Sequence, residues 1–237
     1  MLQRTEYLDI ENEYGRLRYY KNDQHMVEQY HNQLFFEQEY VLKHLSMFIT
    51  DSKHIIDIGA HVGSHSILYK KINPHAIVYA FEPQKMMYSL LTHNISSNNL
   101  DSVYSYNCAV SNYVGRGHMC VSASDGDNCG EPVEYGSDKM FNLAGVSLGD
   151  GGESVQVVTV DSLKFSACDF IKIDVEGYEP NVLVGALTTI ASFSPVISFE
   201  FNQKRSPDIG MSSFDILDKL GYVYYNAWQD NWIAYKE

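Results

Sequence analysis

The stretch HIIDIGAHVGSHS, residues 54–66, decides the fold. Residues 54–58 form a short apolar run of strand length, and the run ends at Gly59-Ala60. Residues 63–72 follow with helical character. A buried strand that breaks at glycine and enters a helix is the first half of a β-α-β unit. Glycine lets the backbone turn tightly there and come close to a ligand. GxGxxG is absent, so the turn is not read as a pyrophosphate cradle. Asp57 opens it, and a glycine turn headed by an acid suits a ligand with a cationic or hydroxylated end. Such turns also occur with no ligand at all.

Moving outward, residues 76–81 (AIVYAF) read as a second buried strand, stopped by Glu82-Pro83. Residues 84–99 look helical and 103–110 read as a third strand. Short apolar strands between helices argue for a parallel sheet covered on both faces. Upstream, residues 33–49 carry apolar positions at helical spacing, and residues 1–32 read as an irregular or short-stranded N-terminal arm. The main domain is then 33–237. Residues 111–154 are rich in Gly, Ser and Asp and read as an insertion or lid loop, with short strands near 118–121 and 155–160. The rhythm resumes with a strand at 170–175, a helix at 180–193 and a strand at 196–201. A helix at 212–220 is closed by Gly221, and an aromatic hairpin turning at 229–231 ends the chain.

Composition bounds the function. The 237 residues are 45% apolar and 20% charged, ordinary for a globular domain and too apolar for disorder. The formal charge of -13 is unfavourable for a nucleic-acid backbone or an anionic membrane surface. Residues 182–199 carry no charge, but Thr, Ser and Pro interrupt them, so membrane insertion is not expected. The first residues show no apolar signal stretch, and the four cysteines form no CxxC pair. Free thiols and a cytoplasmic location are the expectation.

Three acidic strand ends carry the chemistry. Glu82 ends the second strand, and an acid at that place can accept hydrogen bonds from both hydroxyls of a ribose. In Ile171-Lys172-Ile173-Asp174-Val175-Glu176-Gly177 an apolar strand runs into an acidic turn. Ligands of open α/β sheets sit beyond the carboxyl ends of the strands, so Asp174 and Glu176 would face the crevice that Asp57 opens. Carboxylates there could orient or deprotonate a hydroxyl, or hold a divalent cation, or simply sit solvated at a helix start. Glu200, in Ser198-Phe199-Glu200-Phe201-Asn202, ends the next strand and could reach the same crevice.

Taken together, DIGAHVGSHS (57–66), YAFEP (79–83), NCAVSNYVG (107–115), TVDSL (159–163), FIKIDVEGYEPNVLVGA (170–186) and ISFEFN (197–202) resemble the FkbM family of S-adenosylmethionine-dependent O-methyltransferases. The pairing of DIGA-x-x-G with KIDVEG is the specific part. The resemblance implies a doubly wound, Rossmann-like α/β sheet of seven strands with the last antiparallel. It implies that Asp57, Gly59, Ala60 and Gly63 frame the methionine tail of the cofactor and that Glu82 binds its ribose. Asn107 and Ala109 would lie near the adenine. Asp174, Glu176 and Glu200 would line the acceptor side, with Asp174 or Glu200 taking the proton and no obligatory metal. Family members often carry a histidine where this chain has Asn202, so the proton acceptor must be another residue. His61 and His65 lie in or just after the cofactor loop, and His65 reads as a capping or packing residue.

A sugar hydroxyl, such as that of a deoxyhexose in a glycan, is the acceptor the resemblance suggests. An RNA ribose methyltransferase is the rival, since Asp174 with Lys204 would supply half of its lysine–aspartate–lysine–glutamate set. The charge opposes it. A non-catalytic, cofactor-binding scaffold is the other alternative. Oligomeric state is not written in the sequence.

Overall fold

The computed structural model describes residues 6–201 and 210–237. β1 (Tyr7–Asn12) and β2 (Gly15–Tyr20) pair as an antiparallel hairpin, followed by α1 (Gln24–Asn32). α2 (Gln38–Tyr40) runs through a π-helical turn (Val41–Leu45) into α3 (Ser46–Asp51). The helix expected from residue 33 starts only at Gln38, because Gln33 (φ 54°) and Glu37 (φ 52°) are left-handed and break the path. Strand and helix then alternate: β3 (His54–Ile58), α4 (Ser64–Ile72), β4 (Ile77–Phe81), α5 (Lys85–Ser97), β5 (Val103–Tyr106). Next come β6 (Ala109–Val110), β7 (Gly115–Cys120), β8 (Leu148–Gly149) and β9 (Gly151–Val158). β10 (Phe170–Ile173), α6 (Glu179–Val184), α7 (Leu187–Phe193), β11 (Val196–Glu200), α8 (Ser213–Lys219), β12 (Val223–Trp228) and β13 (Asn231–Tyr235) complete the chain.

The main sheet has seven strands in the order β12-β13-β11-β10-β3-β4-β5. β11, β10, β3, β4 and β5 are parallel, and β13 runs antiparallel between β11 and β12. This is the doubly wound, Rossmann-like sheet that the resemblance implied. Side chains alternate across it. Ile55, Val78 and Phe170 point to the face where α3, α4 and the first thirty residues pack. Ile56, Ile58, Ile171, Ile173 and Phe199 point to the face covered by α6 and α8. Both faces are therefore buried, which is why the strands read as continuous apolar runs.

Ile10, Leu17, Tyr19, Tyr20 and Met26 of the arm are buried in the same core as Ile55 and Phe170. Asn94 of α5 clasps β2 from the other side: its Oδ1 accepts the Arg18 N–H at 2.8 Å and its Nδ2 donates to the Arg18 carbonyl at 2.9 Å. Two expected elements divide. The strand read over 103–110 leaves the main sheet at Asn107, and β6 pairs with β9 instead. The helix read over 180–193 splits at Gly185, where a Cβ would strike the Ser111 carbonyl. Residues 111–154, expected mainly as turns, contribute to a second sheet in the order β6-β9-β7-β8, with Met119, Ala123 and Val146 in its own small core. Among the described residues no helix is long and apolar enough to cross a membrane.

Candidate functional site

The loops after β3, β4 and β10 meet at the carboxyl edge of the sheet. They border a partly open cleft whose walls include Gly59, Ala60, Phe81, Glu82, Ala109 and Asp174. The turn after β3 is held from behind: the N–H groups of Gly59 and Ala60 both donate to the Phe81 carbonyl at 3.0 Å. Gly59 has φ +79°, and a Cβ there would run into the Asp174 carbonyl. Glycine is thus required both by conformation and by the approach of the two loops.

Lys172 stands behind this wall. It pairs in register with Asp57 on β3 and Ser198 on β11, so all three project from one face of the sheet. Its ammonium lies 3.1 Å from the Asp174 carboxylate and 3.9 Å from that of Asp57, and it donates to the Gly59 carbonyl at 3.1 Å. Asp57 is fully buried and does not line the cleft; its Oδ2 accepts the Ser66 hydroxyl at 2.6 Å, tying β3 to α4. Burial works against the Lys172 charge, but Asp174 and Asp57 outweigh it and raise its pKa. Burial likewise opposes the Asp174 charge, yet Lys172 outweighs it and leaves the carboxyl below its ordinary value.

Glu82 is 3% exposed. Its two oxygens accept the His61 N–H at 2.9 Å and the Gln84 N–H at 2.8 Å. Burial pushes it up to about 7, against the opposing pull of His61 and the backbone donors. Asn107 does not reach the cleft wall; its side chain donates to the Glu82 and Pro83 carbonyls at 2.9 Å and pins the end of β4. Ala109 lies in the wall, as do its neighbours Cys108 and Val110. Gly63 (φ +93°) turns toward Leu91 and starts α4 from behind the cleft.

Asp174 and Glu176 also border a second, wider recess, together with Glu200, Glu37, Tyr40 and Trp228. The structure therefore brings Asp174, Glu176 and Glu200 together: their carboxylate oxygens lie within 4.8 Å of one another. That spacing could admit a divalent cation, although exposed acidic groups gather this way without one. Asn202 and Lys204 lie outside the described residues.

Four groups at the site are not singled out in the sequence. Lys172 could have been found as a charge in the middle of an apolar strand. Glu179 accepts the Val175 and Gly177 N–H groups at 3.0 and 3.2 Å and so shapes the acidic turn; burial raises it to about 7. Asp23 and Glu37, from the first forty residues, lie 3.2 Å from the His61 and His65 imidazoles respectively. Those two contacts join segments distant in sequence, and nothing local announces them.

The family model for the methyltransferase FkbM domain matches residues 57–225. Methyltransferase 1 of Beauveria bassiana is 25% identical over 174 residues, covering 67% of this chain and 67% of that protein. Methyltransferase sdnD of Sordaria araneosa is 29% identical over 104 residues, covering 44% of this chain and 39% of that protein. The crystal structure of methyltransferase FkbM from Methylobacillus flagellatus superposes with a TM-score of 0.52 at 18% identity, covering 78% of this chain and 44% of that one. That likeness shows a shared fold. The chain thus spans about two thirds of the first relative and less than half of the other two.

Proposed function

The chain belongs to the FkbM methyltransferase domain family, and from that premise we propose that it transfers a methyl group from S-adenosylmethionine to a sugar hydroxyl, such as that of a deoxyhexose in a glycan. The observation that carries this reading is the position of Asp174 and Glu176, which stand in the wall common to the narrow cleft and the wider recess. A cofactor in the cleft and an acceptor in the recess would meet there.

The lining of the cleft suits the chemistry of the cofactor. Each Glu82 oxygen already takes one backbone N–H and retains a lone pair for a ribose hydroxyl. Phe81, Val110, Met119 and Val146 supply apolar walls for the adenine. The Gly59-Ala60 turn and the start of α4 receive the amino-acid tail, where the first-turn N–H groups lack intrahelical acceptors. The bound cofactor supplies a methyl group already activated on a sulfonium.

The protein's own work is alignment and proton removal. The acceptor oxygen must be held about 3 Å from the methyl carbon, in line with the breaking bond. Glu176 and Glu200 are placed to orient acceptor hydroxyls, and Asp174 takes the proton. Lys172 keeps Asp174 ionised at neutral pH. A carboxylate of such low basicity suffices, because the hydroxyl proton becomes strongly acidic as the new C–O bond forms. With Lys172 as a fixed positive charge beside Asp174, the account needs no obligatory metal. Trp228 offers aromatic surface to a sugar ring. The acids around the recess oppose a phosphate backbone and so disfavour an RNA acceptor. A cytoplasmic site of action is part of the proposal.

Methyl transfer from labelled S-adenosylmethionine to a panel of monosaccharides and oligosaccharides tests the reading. Label on a sugar oxygen, lost in Asp174→Asn while S-adenosylhomocysteine still binds, is the expected result. Transfer to a nitrogen or carbon acceptor, or full activity in Asp174→Asn, would refute it.

A further inference from the structure

Asp23 is fully buried at the start of α1, and neither carboxylate oxygen has a hydrogen-bond partner. The nearest cationic group is the His61 imidazole, whose Nε2 lies 3.2 Å from Asp23 Oδ2. A buried carboxylate without hydrogen bonds is costly unless a neighbouring charge compensates it. The His61 ring is placed to supply that charge. His61 is 16% exposed and lines the cleft. Its backbone is fixed as well, at φ +50° and by its N–H on Glu82. The arm supplies more than Asp23, since His25 and Met26 also line the cleft. Beside His61, at the N-terminus of the nine-residue α4, stands His65, 4% exposed, with neither ring nitrogen in a hydrogen bond.

We infer that the N-terminal arm completes the cofactor site: Asp23 holds His61 as an imidazolium that receives the carboxylate end of the cofactor's amino-acid tail, beside the free N–H groups of α4. This rests on the methyltransferase reading above and adds to it a positioning pair, Asp23 and His61. The charged and titratable groups facing His61 are Asp23 from the arm, Glu82 from the end of β4, Lys172 and Asp174 from β10, and His65 from α4. Burial pulls the His61 pKa down, but Asp23 at 3.2 Å outweighs it, so it lies above the ordinary 6.5. The tail is then gripped most firmly below that raised pKa, and the grip weakens as pH rises through it.

Two ligands separate this inference from its premise. S-adenosylhomocysteine carries the amino-acid tail; 5′-methylthioadenosine keeps the adenosine and the thioether but lacks the tail. Both share the ribose, so any titration of Glu82 cancels in the ratio of their affinities. In calorimetric titrations of the full chain, Asp23→Asn is expected to weaken S-adenosylhomocysteine by about tenfold or more and to leave 5′-methylthioadenosine unchanged. In the unsubstituted protein the preference for the tailed ligand should fall as pH rises from below the ordinary imidazole value of 6.5 to well above it. Equal loss for both ligands, loss for neither, or a preference flat with pH would overturn the inference and leave the methyltransferase reading standing. Failure of both ligands to bind the unsubstituted protein would overturn the methyltransferase reading itself. Imidazole nitrogen shifts of the ligand-free protein give an independent readout. A His61 ring protonated at neutral pH, and neutral in Asp23→Asn, is expected; a neutral ring in the unsubstituted protein would contradict the pairing.

Discussion

The Lys172 ammonium lies 3.1 Å from the Asp174 carboxylate, within a strand position that is only 5% exposed. A positive charge placed mid-strand in a parallel sheet would be untenable alone, and the acids on its own strand end and on β3 make it tolerable. The contact also sets the state of Asp174, whose carboxyl stays ionised despite burial.

Lys172→Met should therefore do two things. It leaves Asp57 and Asp174 without their counter-charge, at a cost of about 3–5 kcal/mol, measurable by denaturant unfolding. It also lets burial act on Asp174 unopposed, so the acid limb of the pH–rate profile moves upward. A variant with unaltered stability and pH profile would show that the contact is idle.

Glu82 and Glu179 predict a pH dependence of opposite sign to that of paired acids. Burial raises each from 4.5 to about 7 in the folded state. The folded chain then holds protons that the unfolded chain has lost, so stability is greatest near the unfolded value and falls as pH rises through about 7. Each group contributes at most on the order of 3 kcal/mol. Thermal unfolding across this range should show the decline, and Glu82→Gln should flatten it. A ribose hydroxyl on Glu82 favours its charged form, so cofactor binding just below pH 7 should release a proton, seen as a dependence of the calorimetric heat on buffer ionisation.

Gly59→Ala should be among the most damaging single substitutions. The positive φ alone costs about 1–2 kcal/mol, and the added Cβ must push the Asp174 carbonyl away from the β3 turn. Loss of cofactor binding, with a lowered melting temperature, is the expected outcome. Gly130 also has a positive φ but nothing near a Cβ, so Gly130→Ala serves as the comparison, with the backbone penalty only.

Ser66→Ala removes the hydroxyl that donates to Asp57 at 2.6 Å inside the core. A buried carboxylate oxygen left without that donor costs about 1–3 kcal/mol. Unfolding should report the loss, while cofactor affinity changes little because Asp57 stands behind the cleft rather than in its wall.

The βα rhythm could be read directly from the sequence because its strands are buried on both faces and its turns are marked by glycine or by Glu82-Pro83. The site's frame could be read for the same reason: acids at the ends of β4, β10 and β11 project where such sheets bind ligands. The depth of each acid could not. Asp57 looks as available as Asp174 in sequence, yet pleating turns it onto Ser66 and Lys172, away from the cleft. Asn107 likewise serves the Glu82 and Pro83 carbonyls. The Asp23–His61 pair joins the arm to the glycine turn across 38 positions of chain, and it is tertiary packing, with Met26 and Tyr19 in the core and Asn94 on β2, that holds the arm there.

The central claim is that the cleft bounded by Gly59, Glu82 and Asp174 holds S-adenosylmethionine. Calorimetric titration of the full chain with S-adenosylhomocysteine, repeated on Glu82→Ala, tests it most directly. One molecule bound per chain, with affinity weakened by about 1–3 kcal/mol in the variant, is the predicted result. No heat of binding, or an affinity indifferent to the loss of Glu82, would contradict it.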